Sequence, residues 1–137
     1  MNNISQQINI GQPMSQRMPQ QGSRSMVKAL TAKVSGTFGL PETGRFILET
    51  LLGSTKAFSV KDLVRKICRS ERSVRGALDH LVEKGVIIRK VSLTGRKRLS
   101  YLYTIGPLDR IVKVVRSEIL NQLETLEQIE NIIHERR

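Results

Sequence analysis

The side chains best equipped for chemistry in this sequence are guanidinium and ammonium groups. Arg72 and Arg75 stand three residues apart, Lys61, Arg65 and Arg69 recur at every fourth position before them, and Arg96, Lys97 and Arg98 form an unbroken triplet after Gly95. Spacings of three and four put side chains on one helix face. A guanidinium presents a planar fork that pairs bidentately with phosphate oxygens or with O6 and N7 of guanine. Anion and base-edge recognition is therefore the chemistry on offer. Other chemistries lack their parts. A single cysteine, Cys68, excludes an intrachain disulfide and any multi-cysteine zinc site, and His80 and His134 leave few ligands for a metal. No Ser/His/Asp set, paired carboxylates or glycine-rich phosphate loop stands at a working spacing, so neither enzymatic activity, a cofactor nor a bound metal is expected.

The 137 residues carry 23 Lys+Arg against 12 Asp+Glu, a formal charge of +11. Such an excess points to a polyanion, either nucleic acid or an anionic membrane surface. Its distribution separates the two. Residues 61–98 hold Lys61, Arg65, Lys66, Arg69, Arg72, Arg75, Lys84, Arg89, Lys90, Arg96, Lys97 and Arg98 against only Asp62, Glu71, Asp79 and Glu83, a net +8, while residues 108–137 sum to −1. The apolar runs are too short for a membrane span, and the polar start lacks the apolar core of a secretory signal. A cytoplasmic, nucleoid-associated protein with no membrane partner is expected.

The elements that must carry these residues follow from periodicity. Residues 1–24, rich in Gln and Asn with Gly11, Pro13, Pro19 and Gly22, show no periodic face and read as a disordered tail. Met26, Ala29, Leu30, Lys33 and Val34 then recur at three and four until Gly36 and Gly39 break the helix. Pro41 suits the first position of the next one, whose stripe of Phe46, Ile47, Thr50 and Leu51 ends at Gly53. Ser59 with Asp62 forms a capping box for a helix over 60–68. Ser70 opens another helix over 70–84, with Val74, Ala77, Leu78 and Leu81 inward and Glu71, Arg72, Arg75, Gly76 and Asp79 outward, Ser73 lying at the margin. Gly85 stops it. A branched run from Val86 to Val91, a basic tip over 94–98 and a return over 99–105 read as a β-hairpin, with Tyr101 and Tyr103 packing it onto the helices. Cys68 reads as a buried structural residue and His80 as the edge of the core.

From Leu108 the pattern is helical to the carboxyl end. Leu108, Val112, Val115, Ile119, Gln122, Leu126, Ile129 and Ile133 alternate steps of four and three, the spacing of a coiled-coil seam, so two copies would bury their seams together as a homodimer. Gln122 either fixes register at that seam or lies at a solvated edge. Ile111, Leu120, Leu123 and Ile132 widen the stripe, so part of this helix also packs on its own domain or within a larger bundle.

Two helices joined by a very short break and followed by a hairpin make a winged helix-turn-helix. The run over 70–87, with Ser70, Val74, Ala77, Leu78, Leu81, Gly85, Val86 and Ile87, resembles the recognition helix and first wing strand of small archaeal and bacterial transcriptional regulators of the broad MarR, TrmB and PadR kind. The resemblance spans about residues 40–106. It implies a mainly α chain with a small β-hairpin wing, divided into the tail 1–24, a DNA-binding domain 25–106 and a dimerisation helix 107–137. It further implies a homodimeric regulator of double-stranded DNA, with the recognition helix in the major groove and the wing, residues 92–99, on the adjacent minor groove or backbone. Arg72 and Arg75 are then the base readers, Glu71, Ser73 and Gly76 share their surface, Lys61, Arg65 and Arg69 meet phosphates, and Arg96, Lys97 and Arg98 reach from the wing tip. Gly76 either permits close backbone approach or is simply tolerated. The residue before the capping serine is usually apolar in those regulators. Here it is Arg69, which leaves Ile67 and Cys68 to close the turn. Two other functions fit the same pattern: a winged-helix module of the transcription apparatus whose basic face meets an acidic protein, and a nucleoid protein that coats DNA without specificity.

Overall fold

The computed structural model describes residues 23–93 and 99–136. In order they form α1 (Ser23–Phe38), α2 (Glu42–Leu52), α3 (Val60–Ile67), α4 (Glu71–Glu83), β1 (Ile87–Leu93), β2 (Leu99–Ile105) and α5 (Leu108–Glu135). The chain is thus mainly α with one antiparallel hairpin, the winged helix-turn-helix arrangement. Residues 1–22 of the expected tail and the wing tip, including Arg96, Lys97 and Arg98, lie outside the described residues, whereas Ser23 and Arg24, assigned to the tail by the sequence, already belong to α1.

Local rules account for most boundaries. At the start of α3, Asp62 N–H donates to Ser59 Oγ and Ser59 N–H donates to Asp62 Oδ2, both at 3.1 Å. This reciprocal pair is the expected capping box. The hydrogen bond from the Ser59 backbone, then that from its side chain, holds the Asp62 carboxyl below its ordinary value of 3.8. A depressed carboxyl contributes stability that is complete above its unfolded value and is lost as pH falls through the folded one. Ser59→Ala removes the side-chain cap but keeps the backbone donor, and loss of the cap should cost about 1 kcal/mol at neutral pH. In urea titrations the gap to wild type should narrow below about pH 4.

Two expectations about α1 and α2 shift. The α1 helix does not break at Gly36 but runs to Phe38 and stops at Gly39, whose φ of +62° closes the turn. A helical glycine costs only about 1 kcal/mol, which burial of Val34 on one side and packing of Phe38 on the other outweigh. Pro41 has φ −69° and ψ 170° and precedes α2 as its cap rather than entering it.

The core gathers Ile47, Leu48 and Leu51 of α2, Leu63 of α3, Val74, Leu78 and Leu81 of α4, and Val86 after it. Ile111 and Val115 of α5 close it from the far side. The hairpin pairs Ile87 with Ile105 through to Leu93 with Leu99. It is fastened at its base, where Phe58 and Tyr103 exchange backbone hydrogen bonds of 3.0 and 2.8 Å. Gly106 is needed there, since a Cβ would sit 2.9 Å from the Val86 carbonyl oxygen. Of the two tyrosines only Tyr103 is buried. Tyr101, two residues nearer the hairpin tip, is exposed, and the Arg89 guanidinium covers its ring at 4.6 Å.

Cys68 is exposed, not buried as expected. It ends α3 in the left-handed region at φ 55°, with its Sγ 3.7 Å from the Arg65 carbonyl oxygen, while Ile67 packs against the core. Gln122 is likewise fixed by its own chain. Its Nε2 donates to the Thr37 carbonyl at 2.8 Å, satisfying an acceptor freed by the end of α1. From Leu123 onward every described residue of α5 is exposed.

Candidate nucleic-acid interface

The exposed face of α4 is built by one short-range signal and one buried stripe. Ser70 Oγ accepts from Ser73 N–H at 3.1 Å and so fixes where α4 begins. Val74, Ala77, Leu78 and Leu81 then anchor the inner face, and Glu71, Arg72, Ser73, Arg75, Gly76 and Asp79 are exposed on the remainder. Six predicted positions of α4 therefore share one solvent-facing surface.

Their charges are not equivalent. Arg75 Nε donates to Glu71 Oε2 at 2.8 Å one turn back, and that hydrogen bond raises the guanidinium's pKa. Glu71 thus orients Arg75 along the helix while cancelling part of its field. Among the described residues no ion pair engages Arg72, which leaves its five donors available. A Cβ at Gly76 would meet nothing within 4 Å, so this glycine is not required by packing within the chain.

On α3, Lys61 and Arg65 are exposed, and Arg65 reaches Asp62 at 3.3 Å in a surface pair of little energetic consequence. Arg69 stands elsewhere. Its Nη2 lies 2.6 Å from Glu42 Oε1, and its guanidinium covers the Phe46 ring at 5.3 Å. It therefore ties the α3–α4 turn to α2, the role expected of Ile67 and Cys68. The amphipathic Arg stem lies along apolar surface there while its head group stays paired. Between the start of α2 and α4 lies an open cleft of about 490 Å³, bordered by Pro41, Thr43, Arg72, Ser73, Gly76 and His80.

Arg89 and Lys90 of β1 are exposed on the same basic segment. The sequence singled out neither as a site, because their placement, Arg89 beside Tyr101 and Lys90 opposite Leu102, depends on the hairpin register. Among the described residues no cluster of three His, Cys, Asp or Glu side chains is arranged to hold a metal, and no helix is long and apolar enough to cross a membrane.

Two solved structures share this architecture. One is a possible transcriptional regulator from Methanosarcina mazei Go1, with a TM-score of 0.65 and 14% identity over 73% of this chain and 84% of that one. Another, a protein from the thermoacidophilic archaeon Sulfolobus tokodaii, gives a TM-score of 0.59 and 18% identity over 76% of this chain and 97% of that one. At such identities the likeness is one of fold. No protein-family model matches the chain. No curated protein matches it in sequence.

Proposed function

We propose that this chain is a homodimeric, sequence-specific regulator of transcription that binds double-stranded DNA with α4 in the major groove. The carrying observation is a coincidence of charge and shape. Of the net +8 of residues 61–98, +5 falls on the described residues 61–93 of α3, α4 and β1 with their connections, and α4 turns toward solvent the face that holds Arg72, Arg75 and Gly76. A helix fits a groove about 12 Å wide, and its first turns present side chains to base edges.

In this reading Arg72 reads guanine bidentately, and Arg75, held by Glu71, reads a neighbouring base. Ser73 meets a phosphate. Lys61 and Arg65 position the domain on the backbone without reading sequence, as does Arg69 to the extent that Glu42 leaves it free. The wing, residues 92–99, lies on the adjacent minor groove or backbone, with Arg96, Lys97 and Arg98 at its tip. Two copies joined through Leu108, Val112, Ile119, Leu126, Ile129 and Ile133 address a pseudo-palindromic site about 34 Å between half-site centres; of the expected seam, Val115 is buried in its own core and Gln122 is bonded to Thr37 of its own chain. Such a protein resides on the nucleoid.

Selection of bound fragments from a random DNA pool, followed by gel shift against non-specific competitor, tests this reading. Arg72→Ala or Arg75→Ala should cost about 1–3 kcal/mol on the selected site and relax preference at one base pair. Lys61→Ala should weaken every sequence alike and lower the salt slope by about 0.9. Equal affinity for all sequences would make it a coating protein. No binding even at about 50 mM salt would leave the acidic-protein partner.

A further inference from the structure

We infer that the wing carries an apolar wedge, the cross-strand pair Leu93 and Leu99, which enters the minor groove and bends the DNA. This rests on the DNA reading above and adds to it a mechanical effect on the duplex.

The wedge follows from the hairpin register. Arg89 pairs with Tyr103, Val91 with Tyr101 and Leu93 with Leu99, so these six side chains lie on one face of the ribbon. Near the body that face is covered, since Tyr103 is buried. Further out it stays apolar but loses its cover. Val91 is 63% exposed, Leu93 69% and Leu99 70%, and Tyr101 is exposed with them. Single exposed leucines are ordinary, whereas four apolar side chains on two successive rungs form a contiguous patch of the kind that marks a contact surface. Packing within their own domain does not account for them.

Charge identifies what the patch meets. From Lys84 to Leu108 the sequence has no carboxylate, and the patch has cations at both ends: Arg89 and Lys90 before it, Arg96, Lys97 and Arg98 in the segment that joins the two leucines. An apolar strip bracketed by cations matches the minor groove, where deoxyribose C–H surface runs between two rows of phosphates. The Arg89 guanidinium already lies over the Tyr101 ring at 4.6 Å, and a stacked guanidinium keeps its N–H donors in its own plane, where a phosphate can reach them. A merely acidic surface would match the cations but not the strip between them.

The dimensions make bending the consequence of entry. Directly opposed side chains have Cβ atoms about 5 Å apart, and the methyl groups of two leucines extend the pair beyond a groove about 6 Å wide. The groove must therefore open. Apolar side chains that open it unstack a base step and bend the duplex toward the major groove by about 20–90°. Arginine and lysine lie in a narrow minor groove without that distortion, so the leucines are what separates bending from simple phosphate contact.

The test reads energy transfer between dyes at the two ends of a duplex carrying a fragment from the selection above, with the full-length protein at saturation. Wild type should bring the ends together, and Leu93→Ser with Leu99→Ser should return them most of the way to their spacing in free DNA. Affinity should fall about tenfold or more with the salt slope unchanged, because the cations are untouched. Both positions are exposed, so thermal unfolding should stay where it was. Leu93→Met with Leu99→Met should keep the bend, which separates a lost apolar contact from a disturbed hairpin. A wild type that binds without bending, or a serine variant that bends DNA as fully as wild type, would overturn the wedge and leave the DNA reading standing. Absence of binding to any duplex at about 50 mM salt would overturn both.

Discussion

Gly76→Glu should fold at least as stably as the wild type and lose its affinity for DNA by a factor of about 100 or more. The two halves of this result have separate causes. Position 76 is exposed in the middle of α4, and an added Cβ meets nothing within 4 Å. Replacing a helical glycine by glutamate therefore gains about 0.5–1 kcal/mol of helix stability without a steric cost. The new carboxylate stands beside Arg72 and Arg75, on the surface proposed to enter the groove. Like charges brought together at an interface cost several kcal/mol, and each 1.4 kcal/mol is a tenfold change in binding. Thermal unfolding reads the first effect and gel shift the second. Undiminished binding would remove α4 from the interface, whatever the charge of the remaining surface. Gly76→Ala separates the two roles open to this glycine: loss of binding marks close approach to the nucleic acid, and unchanged binding with a higher melting temperature marks a tolerated residue.

What the sequence made legible, and what it did not, divides by range. The Ser59 and Asp62 box, the Ser70 cap and the stripe of Val74, Ala77, Leu78 and Leu81 depend on residues within one or two helical turns, and each stands where periodicity places it. The sorting of α4 into an inner and an outer face follows from that stripe alone. Contacts closed by tertiary structure were not legible. Arg69 reads as a phosphate contact until Glu42, 27 positions away, and Phe46 are found beside it. Gln122 occupies a seam position by spacing, yet its partner is the Thr37 carbonyl, 85 positions back. Tyr101 and Tyr103 share a strand face, but only Tyr103 is buried. A period tells which side of an element is apolar. It does not tell what covers that side, and this is why Val115 reads as a seam position although it lies in the domain core, where Ile111, whose widening of the stripe placed part of α5 on its own domain, is its neighbour in the same cluster.

Leu78→Ala should produce the converse of the glycine substitution, a large loss of stability with the chemistry of the recognition face left in place. Leu78 is fully buried on the inner face of α4, in one cluster with Ile47 and Leu48 of α2 and Leu63 of α3. Truncating a leucine in such a site removes its transfer energy and leaves a cavity, about 2–5 kcal/mol in all. Domains of this size hold only about 5–15 kcal/mol, so the urea midpoint should fall steeply while the slope of the transition stays unchanged. Arg72, Arg75 and Gly76 lie outside the cavity and keep their surface. In the fraction that remains folded, α4 is still capped at Ser70 and held by Val74 and Leu81, so affinity per folded molecule should change far less than in Gly76→Glu. If Leu78→Ala weakened binding as much as stability, the groove-entering surface would depend on how firmly α4 is seated rather than on the side chains it presents. Specificity would then be set in the core. Measuring both variants by unfolding and by binding separates those two origins, because the expected effects fall on opposite axes.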